Sequence, residues 1–367
     1  MKVLYLINHA GKAGTEKYVY NLVRAYNGRR CDCFFAYNEE GQLSQQMREL
    51  NIKSFKIEMK NPFDLKAAKE LAKICRQNDI DIIHTQYPRE NYIAILSRMF
   101  YKKVKVIYTC HLTLKTNFCW KITNKLLIPH EEKIISVCNN GKELLVSNGV
   151  SPKKIDVIFN GVFPKEREKN DDIRKELNID DDTFVITTLA RYHIAKGLDY
   201  FVKSIKELDK IIKRRYVVLI AGEGELFDEI KELIADLGMK DKILQLGFRR
   251  DSEKILMGSD LFVNSAKCYE ALSFAILEAL ENALPVVATN VGGNGDIIND
   301  KTDCGLIVEY GDEKQMARAI AKIAQDKELY ERFSKNARKT VQERFNLNIL
   351  LDDIYKEYEK AMTGGKK

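Results

Sequence analysis

The feature that most constrains this chain is an alternation, run through twice, of short apolar stretches rich in β-branched residues with longer stretches of helical periodicity. In the first half the apolar stretches are residues 2–7, 33–37, 80–84, 105–109, 133–137 and 155–159. A stretch too apolar to expose either face, followed by an amphipathic helix, is satisfied by a parallel strand covered by its crossover helix. The series stops at Asn160-Gly161, where Pro164 and the charged residues 165–172 mark a turn and a linker. It restarts with residues 183–189, 216–221, 243–246, 261–264, 285–289 and 305–308, separated by helical patterns, notably 198–213, 226–237 and 271–282. From Glu313 onward the pattern is helical only, with a break near Phe345-Asn346-Leu347 and a frayed tail at Gly364-Gly365-Lys366-Lys367. The economical assembly is α/β: two Rossmann-like, doubly wound parallel-sheet domains, 1–163 and 164–345. A C-terminal helix, 346–367, is expected to cross back to the first domain.

Composition agrees. With 367 residues, 45% hydrophobic and 31% charged, the chain is globular rather than disordered, and at that length one core becomes inefficient. Two domains imply a cleft. No run approaches the ~20 apolar residues that span a bilayer, and residues 3–7 are too short for a signal-peptide core. The expected location is the cytoplasm. Eight cysteines are scattered without a CxxC pair, which supports neither a zinc ribbon nor a thioredoxin-like site, only reduced, buried thiols. Residues 1–163 carry 26 Lys and Arg against 15 Asp and Glu, a net +11, and the remainder carries 34 against 38, a net −4. A basic first half suits a membrane surface, an anionic substrate or nucleic acid, and equally a solvated surface with no partner.

In open α/β sheets ligands bind where strands end, at their carboxyl edge. After the first strand comes Asn8-His9-Ala10-Gly11-Lys12-Ala13-Gly14-Thr15-Glu16, whose glycines would let an anion approach the backbone at a helix N-terminus. The spacing is neither GxGxxG nor a P-loop, so a plain tight turn stays open. His84 and His111 each close a strand. They lack metal-site spacing, which leaves hydrogen bonding to substrate hydroxyls or a structural role. Arg191 and Lys196 lie on a loop entering a helix. Together they can grip adjoining phosphates, the Arg as a planar fork and the Lys as a point charge, or they are surface charge. Glu270 and Glu278, eight residues apart, flank an apolar stretch. Glu278 falls inside an apolar helix, where an ionised carboxylate is costly without a partner, and Glu270 precedes it at a strand end. The alternative is a helix cap and a partly exposed acid.

Five segments in order, Arg191…Lys196-Gly197, Ala221-Gly222-Glu223-Gly224, Leu246-Gly247-Phe248, Glu270-x7-Glu278 and Pro285–Gly293, resemble glycosyltransferase family 4. The first half resembles it through the Gly11–Glu16 loop, residues 81–84, His111 and residues 157–162. The family's enzymes are retaining and have the GT-B architecture, two Rossmann-like domains facing a central cleft. The resemblance implies that Arg191 and Lys196 hold the donor diphosphate, with backbone N–H groups of Phe274, Ala275 and the Gly14 loop. It also implies that Glu278 takes the ribose hydroxyls and Glu270 those of the donor sugar, that His111 touches that sugar beside the reacting carbon, and that Phe248 and Arg249 border the base. Gly11, Thr15 and His84 are the acceptor-side candidates. Asp296 stands where the family often has Glu, Ala271 and Ser273 where glycines are common, and Phe163 where an acid is usual. These departures bear on donor identity more than on catalysis.

The implied activity is transfer of a sugar, retaining its anomeric configuration, from a nucleotide-diphosphate sugar, UDP-sugar foremost. The acceptor is a hydroxyl of a glycan or lipid-linked molecule, in cell-surface polysaccharide or glycoconjugate synthesis. Asp79-Ile80-Asp81 leads into a strand rather than forming a metal-binding DxD, so metal-independent, cofactor-free chemistry is expected, with the nucleotide sugar as substrate. The rival is a non-catalytic nucleotide-sugar-binding or partner subunit on the same fold, against which both glutamates, both cations and His111 argue. A nucleic-acid partner is disfavoured, since no stacking motif or recognition helix is present. Two basic clusters, Lys102-Lys103-Val104-Lys105 and Lys115, Lys121 and Lys125 among Leu114, Phe118, Trp120, Leu126 and Leu127, make docking on the inner face of an anionic membrane an expectation. The alternative is that Trp120 and its neighbours pack the core.

Overall fold

Each apolar stretch singled out in the sequence forms a strand, and every strand pairs parallel to its neighbours. The computed structural model describes residues 1–111, 115–165, 172–268 and 270–364. It divides into two units, one made of residues 1–160 with those from 348 on, the other of residues 161–347. The linker residues 166–171, Leu114 and the last three residues of the expected tail lie outside the described residues.

The first unit holds β1 (Lys2–His9), β2 (Asp32–Glu39), β3 (Lys53–Lys56), β4 (Ile82–Thr85), β5 (Lys105–Cys110), β6 (Lys133–Ser136) and β7 (Ile155–Val157). They form one sheet in the order β3-β2-β1-β4-β5-β6-β7. Between them run α1 (Gly14–Tyr26), α2 (Gln42–Glu49), α3 (Leu65–Asn78), α4 (Pro88–Ser97), α5 (Phe118–Leu127) and α6 (Asn139–Ser147). β1 and β4 are buried on both faces over most of their length, which a sheet covered by helices on both sides requires. α3 shows how sequence sets an element's ends: the Asp64 carboxylate accepts from the Lys66 and Ala67 amides at one end, and Asp79 takes the left-handed conformation at the other.

The second unit contains α7 (Asp172–Glu176), β8 (Phe184–Leu189), α8 (Leu198–Leu208), β9 (Tyr216–Ala221), α9 (Phe227–Asp236), β10 (Ile243–Gly247), α10 (Ser252–Met257) and β11 (Leu261–Asn264). It continues through α11 (Phe274–Glu281), β12 (Val286–Thr289), α12 (Asn294–Ile297), β13 (Gly305–Val308), α13 (Glu313–Gln325) and α14 (Lys327–Arg344). The sheet order is β10-β9-β8-β11-β12-β13, and its core is Ile186, Val218, Ile220, Val263 and Val287 against Phe201, Ile205, Met316 and Ile320 of the covering helices.

The last helix, α15 (Leu347–Thr363), lies with the first unit from Asn348 on. It buries Leu351, Ile354 and Tyr358 there, and the Tyr26 hydroxyl donates to the Leu351 carbonyl. Residues 348–367 add four lysines and four acids, so the +11 excess stays with the first unit.

Candidate active site

A doubly wound sheet has one place where successive connections leave in opposite directions, and the loops there splay apart to leave a crevice. In the second unit that place lies between β8 and β11. The loop after β8 carries Arg191 and Lys196, and the loop after β11 carries Glu270. Lys196 donates to Glu270 Oε2 at 2.6 Å, the carboxylate side chain being 9% exposed and the lysine 31%. The two residues thus form one ion pair across the switch point. Arg191 is exposed and has no ion-pair partner among the described residues.

The backbone around the pair is tightly fixed. Gly197, at φ +60°, ends the short 3-10 turn Ile194–Lys196, and a Cβ there would lie 2.4 Å from the Ser265 carbonyl oxygen. The Ser265 hydroxyl in turn donates to the Lys196 carbonyl at 2.9 Å. Gly292, also at φ +60°, passes so close to the Glu270 carbonyl that a Cβ would sit 1.7 Å from its oxygen. The Gly293 amide donates to the Ala271 carbonyl at 2.6 Å. Sequence inspection passed over Asn264, the last residue of β11, which is 8% exposed. Its side chain accepts from the Ala266 amide and from Asn294 and reaches Ser273 at the start of α11. A polar, β-unfavourable residue closing an otherwise apolar strand was the available signal.

The remaining predicted positions of this unit are spread around the same strand ends. Phe274 and Ala275 open α11, and Glu278 lies one turn further on, half-buried. Phe248 follows β10 and is 41% exposed. Arg249, expected to border the base, follows Phe248, and its guanidinium is held by Asp251 at 2.8 Å and by Glu176 at 3.0 Å. That double ion pair commits its donors to protein carboxylates.

In the first unit the switch point lies between β1 and β4. Thr15 in the first turn of α1 accepts from the Tyr87 hydroxyl at 2.8 Å, joining the loops after those two strands. Gly11 and Gly14 lie on the turn itself, Gly14 being the first residue of α1 and exposed. Beneath them Glu16 is 6% exposed, and burial raises its carboxyl above the usual range. His111 follows β5, 7% exposed, with Nε2 3.0 Å from Gln86 Oε1 and its ring edge-on to Tyr18 at 4.7 Å. Burial pulls its pKa down to about 3, so the ring is neutral at physiological pH.

His84 is a correction to the acceptor-side assignment. It has no exposed surface, and both ring nitrogens are taken, Nδ1 by the Tyr358 hydroxyl at 2.6 Å and Nε2 by Thr109 at 2.7 Å. A histidine so enclosed ties α15 to the sheet and offers no substrate an atom. The basic cluster is also divided by the structure. Trp120 stacks on Phe63 and Tyr92, and Leu127 packs on the core, whereas Phe118, Ile122 and Leu126 are 75%, 44% and 66% exposed. Their i, i+4, i+8 spacing gives α5 one apolar outward stripe.

Two doubly wound parallel sheets, with charged loops gathered at the strand ends, define the GT-B class of glycosyltransferases. The chain belongs to glycosyltransferase family 4: residues 13–166 match the model described as Glycosyltransferase Family 4, and residues 169–340 match Glycosyl transferases group 1. It is similar to an Escherichia coli UDP-Gal:alpha-D-GlcNAc-diphosphoundecaprenol alpha-1,3-galactosyltransferase, 29% identical over 79% of this chain and 78% of that one. It is also similar to a Bacillus anthracis N-acetyl-alpha-D-glucosaminyl L-malate synthase, 24% identical over 87% and 84%. Among solved structures, Anabaena HepE in complex with UDP superposes with a TM-score of 0.87 at 16% identity, over 98% of this chain and all of that one. Among the described residues, no helix is long and apolar enough to cross a membrane.

Proposed function

We propose that this glycosyltransferase moves a sugar from a nucleotide-diphosphate sugar, UDP-sugar foremost, to a hydroxyl of a lipid-linked or glycan acceptor, with retention at the anomeric carbon. The observation that carries the proposal is the Lys196–Glu270 pair beside the exposed Arg191 at the switch point of the second unit. Two cations facing a diphosphate meet the negative charge that grows as the sugar–phosphate bond breaks. Glu270, oriented by Lys196, receives the hydroxyls of the sugar as it flattens toward an oxocarbenium ion. The UDP of the HepE complex and the UDP-galactose donor of the E. coli relative support this donor class.

The bond from the anomeric carbon to the β-phosphate oxygen breaks on the face that the acceptor enters. The departing phosphate oxygen takes the acceptor's proton, the new carbon–oxygen bond forms on that face, and the nucleoside diphosphate leaves. No protein nucleophile takes part, and none of these steps calls on a metal. His111 contacts the donor sugar. The acceptor is argued from the E. coli relative's diphosphoundecaprenol substrate and from α5, whose stripe of Phe118, Ile122 and Leu126 is interleaved with Lys121 and Lys125. Such a face suits an anionic bilayer, each basic residue adding roughly 1 kcal/mol and the apolar side chains adding burial.

Incubating the protein with each nucleotide sugar in water and following the mass of the products tests the donor assignment without an acceptor. Slow release of UDP from one or two UDP-sugars is expected. Binding of UDP-sugars without any turnover, in water or with acceptor extracts, would convert the reading to a non-catalytic one. Vesicle cosedimentation tests the membrane part: capture should require anionic lipid, weaken with salt and fall when Lys115, Lys121 and Lys125 become Glu. Equal recovery on neutral vesicles would remove it.

A further inference from the structure

Gln86 lies just beyond β4, has no exposed surface, and makes two side-chain contacts that together determine the state of a third group. Its amide nitrogen donates to the His84 carbonyl at 3.3 Å, and its amide oxygen lies 3.0 Å from His111 Nε2. The two ends of an amide are not interchangeable, because the NH2 can only donate and the oxygen can only accept. Turning the amide over would set its oxygen against the His84 carbonyl, two acceptors at hydrogen-bond distance. The oxygen therefore faces His111, and an acceptor opposite Nε2 places the ring's proton on Nε2.

A neutral imidazole has one ring proton, and burial keeps His111 neutral. With that proton on Nε2, the lone pair is on Nδ1. The ring cannot turn to exchange the two nitrogens freely, since Tyr18 packs edge-on against it at 4.7 Å. Tyr18 is itself fixed by the contact of its hydroxyl with Thr109 at 3.1 Å, and Thr109 is bound to His84, which is bound to Tyr358 of α15. We infer that Gln86 is a positioning residue that holds His111 as the Nε2-protonated tautomer, so that His111 presents to the donor sugar a nitrogen that accepts a hydrogen bond and cannot donate one. This rests on the proposed contact between His111 and the sugar, and it adds the direction of that contact. A sugar carrying a hydroxyl at that point is then favoured over one presenting only an acceptor there.

The tautomer is read without substrate. In the full-length protein labelled with 15N-histidine, two-bond hydrogen–nitrogen correlations of the His111 ring are assigned by their loss in His111→Gln. Expected is a protonated-type Nε2 and an unprotonated-type Nδ1 in the native protein. The pattern should persist in Gln86→Glu, which keeps an acceptor, and become mixed in Gln86→Met, which fills the same space without one. On the donor found to be hydrolysed, Gln86→Met should lower kcat about tenfold with KM little changed, and Gln86→Glu should recover most of the loss. A mixed or Nδ1-protonated ring in the native protein overturns the inference whether or not the variants fold. A changed tautomer with unchanged kcat overturns the positioning role. The expected tautomer in a protein that turns over no nucleotide sugar upholds the Gln86 assignment and overturns the transferase reading instead.

Discussion

Replacing the two partners of the central ion pair one at a time should have unequal effects on folding, because the group left behind differs in its access to water. Glu270→Gln leaves Lys196, whose side chain is 31% exposed and can turn its ammonium to solvent. Lys196→Ala leaves a carboxylate with 9% exposure and no other ion-pair partner among the described residues. Surface pairs are worth about 0–1 kcal/mol, and stranding one partner of a fully buried pair costs about 3–5 kcal/mol. The exposure of Lys196 puts this pair between those limits. We expect about 1 kcal/mol for Glu270→Gln and about 2–3 kcal/mol for Lys196→Ala. The double variant should be more stable than Lys196→Ala by about 1–2 kcal/mol, since no carboxylate is then stranded. Urea unfolding followed by far-UV circular dichroism measures this. The chain's one tryptophan, Trp120, lies in the first unit, so its fluorescence serves as an internal control that should not move. In catalysis both single variants should lose about 10²–10³ in rate, or 2.7–4 kcal/mol, with the double variant losing less than the sum. Equal destabilisation by the two single changes, or strict additivity in both folding and rate, would refute the pairing as the organising contact of the site.

Gly292→Ala should reduce activity more than stability, because a Cβ at φ +60° and 1.7 Å from the Glu270 carbonyl oxygen must displace that residue. Native-like turnover in this variant would contradict it. Transfer should survive excess chelator, since the proposed mechanism meets the diphosphate charge with Arg191 and Lys196, and complete loss in EDTA restored by Mg²⁺ or Mn²⁺ is the opposing result. Burial pushes the carboxyls of Glu90 and Glu131 up to about 8, so they favour the fold while protonated, and that contribution is lost as pH rises from about 4.3 toward their folded values. His84 and His111, held down to about 3, take up protons more readily when unfolded and cost stability as pH falls below about 6.5. The first unit, read by Trp120 fluorescence, should therefore be most stable on a plateau between about pH 4.3 and 6.5. A steady gain in its stability from pH 6.5 to 8 would contradict these signs.

The strands were legible because parallel strands buried on both faces must be nearly continuous in apolar, β-branched residues, as 216–221 and 261–264 are. β3 was missed for the converse reason: Lys53-Ser54-Phe55-Lys56 sits at a sheet edge, is partly exposed along its length, and has one large apolar side chain to announce it. The loops at strand ends were legible as places but not as contacts. Arg191, Lys196 and Glu270 could be picked out by charge and position, yet the ion pair between residues 74 apart is a product of the sheet order. His84 and His111 look alike in the sequence, each closing a strand. They differ in what the fold brings to them, Tyr358 from the far end of the chain filling one side of His84 and Gln86 capping one nitrogen of His111. Gln86 stands two residues after His84 at a strand's carboxyl end and was open to the same positional rule. Its neutral side chain gave no chemical reason to stop there. Helix α5 was seen as a basic segment mixed with apolar residues. Which of those face inward depends on Phe63 and Tyr92, which stack on Trp120 from distant parts of the chain.

The anomeric outcome of the first turnover tests the central claim most directly. With the UDP-sugar that the protein hydrolyses, proton NMR recorded before mutarotation reports the configuration of the released sugar, and the same spectrum with an acceptor reports that of the glycoside. The account predicts an α-anomer from an α-linked donor in both, lost together with UDP release when Lys196 or Glu270 is replaced. A β-anomer, or release undiminished in those variants, would contradict front-face transfer at the site formed by Arg191, Lys196 and Glu270.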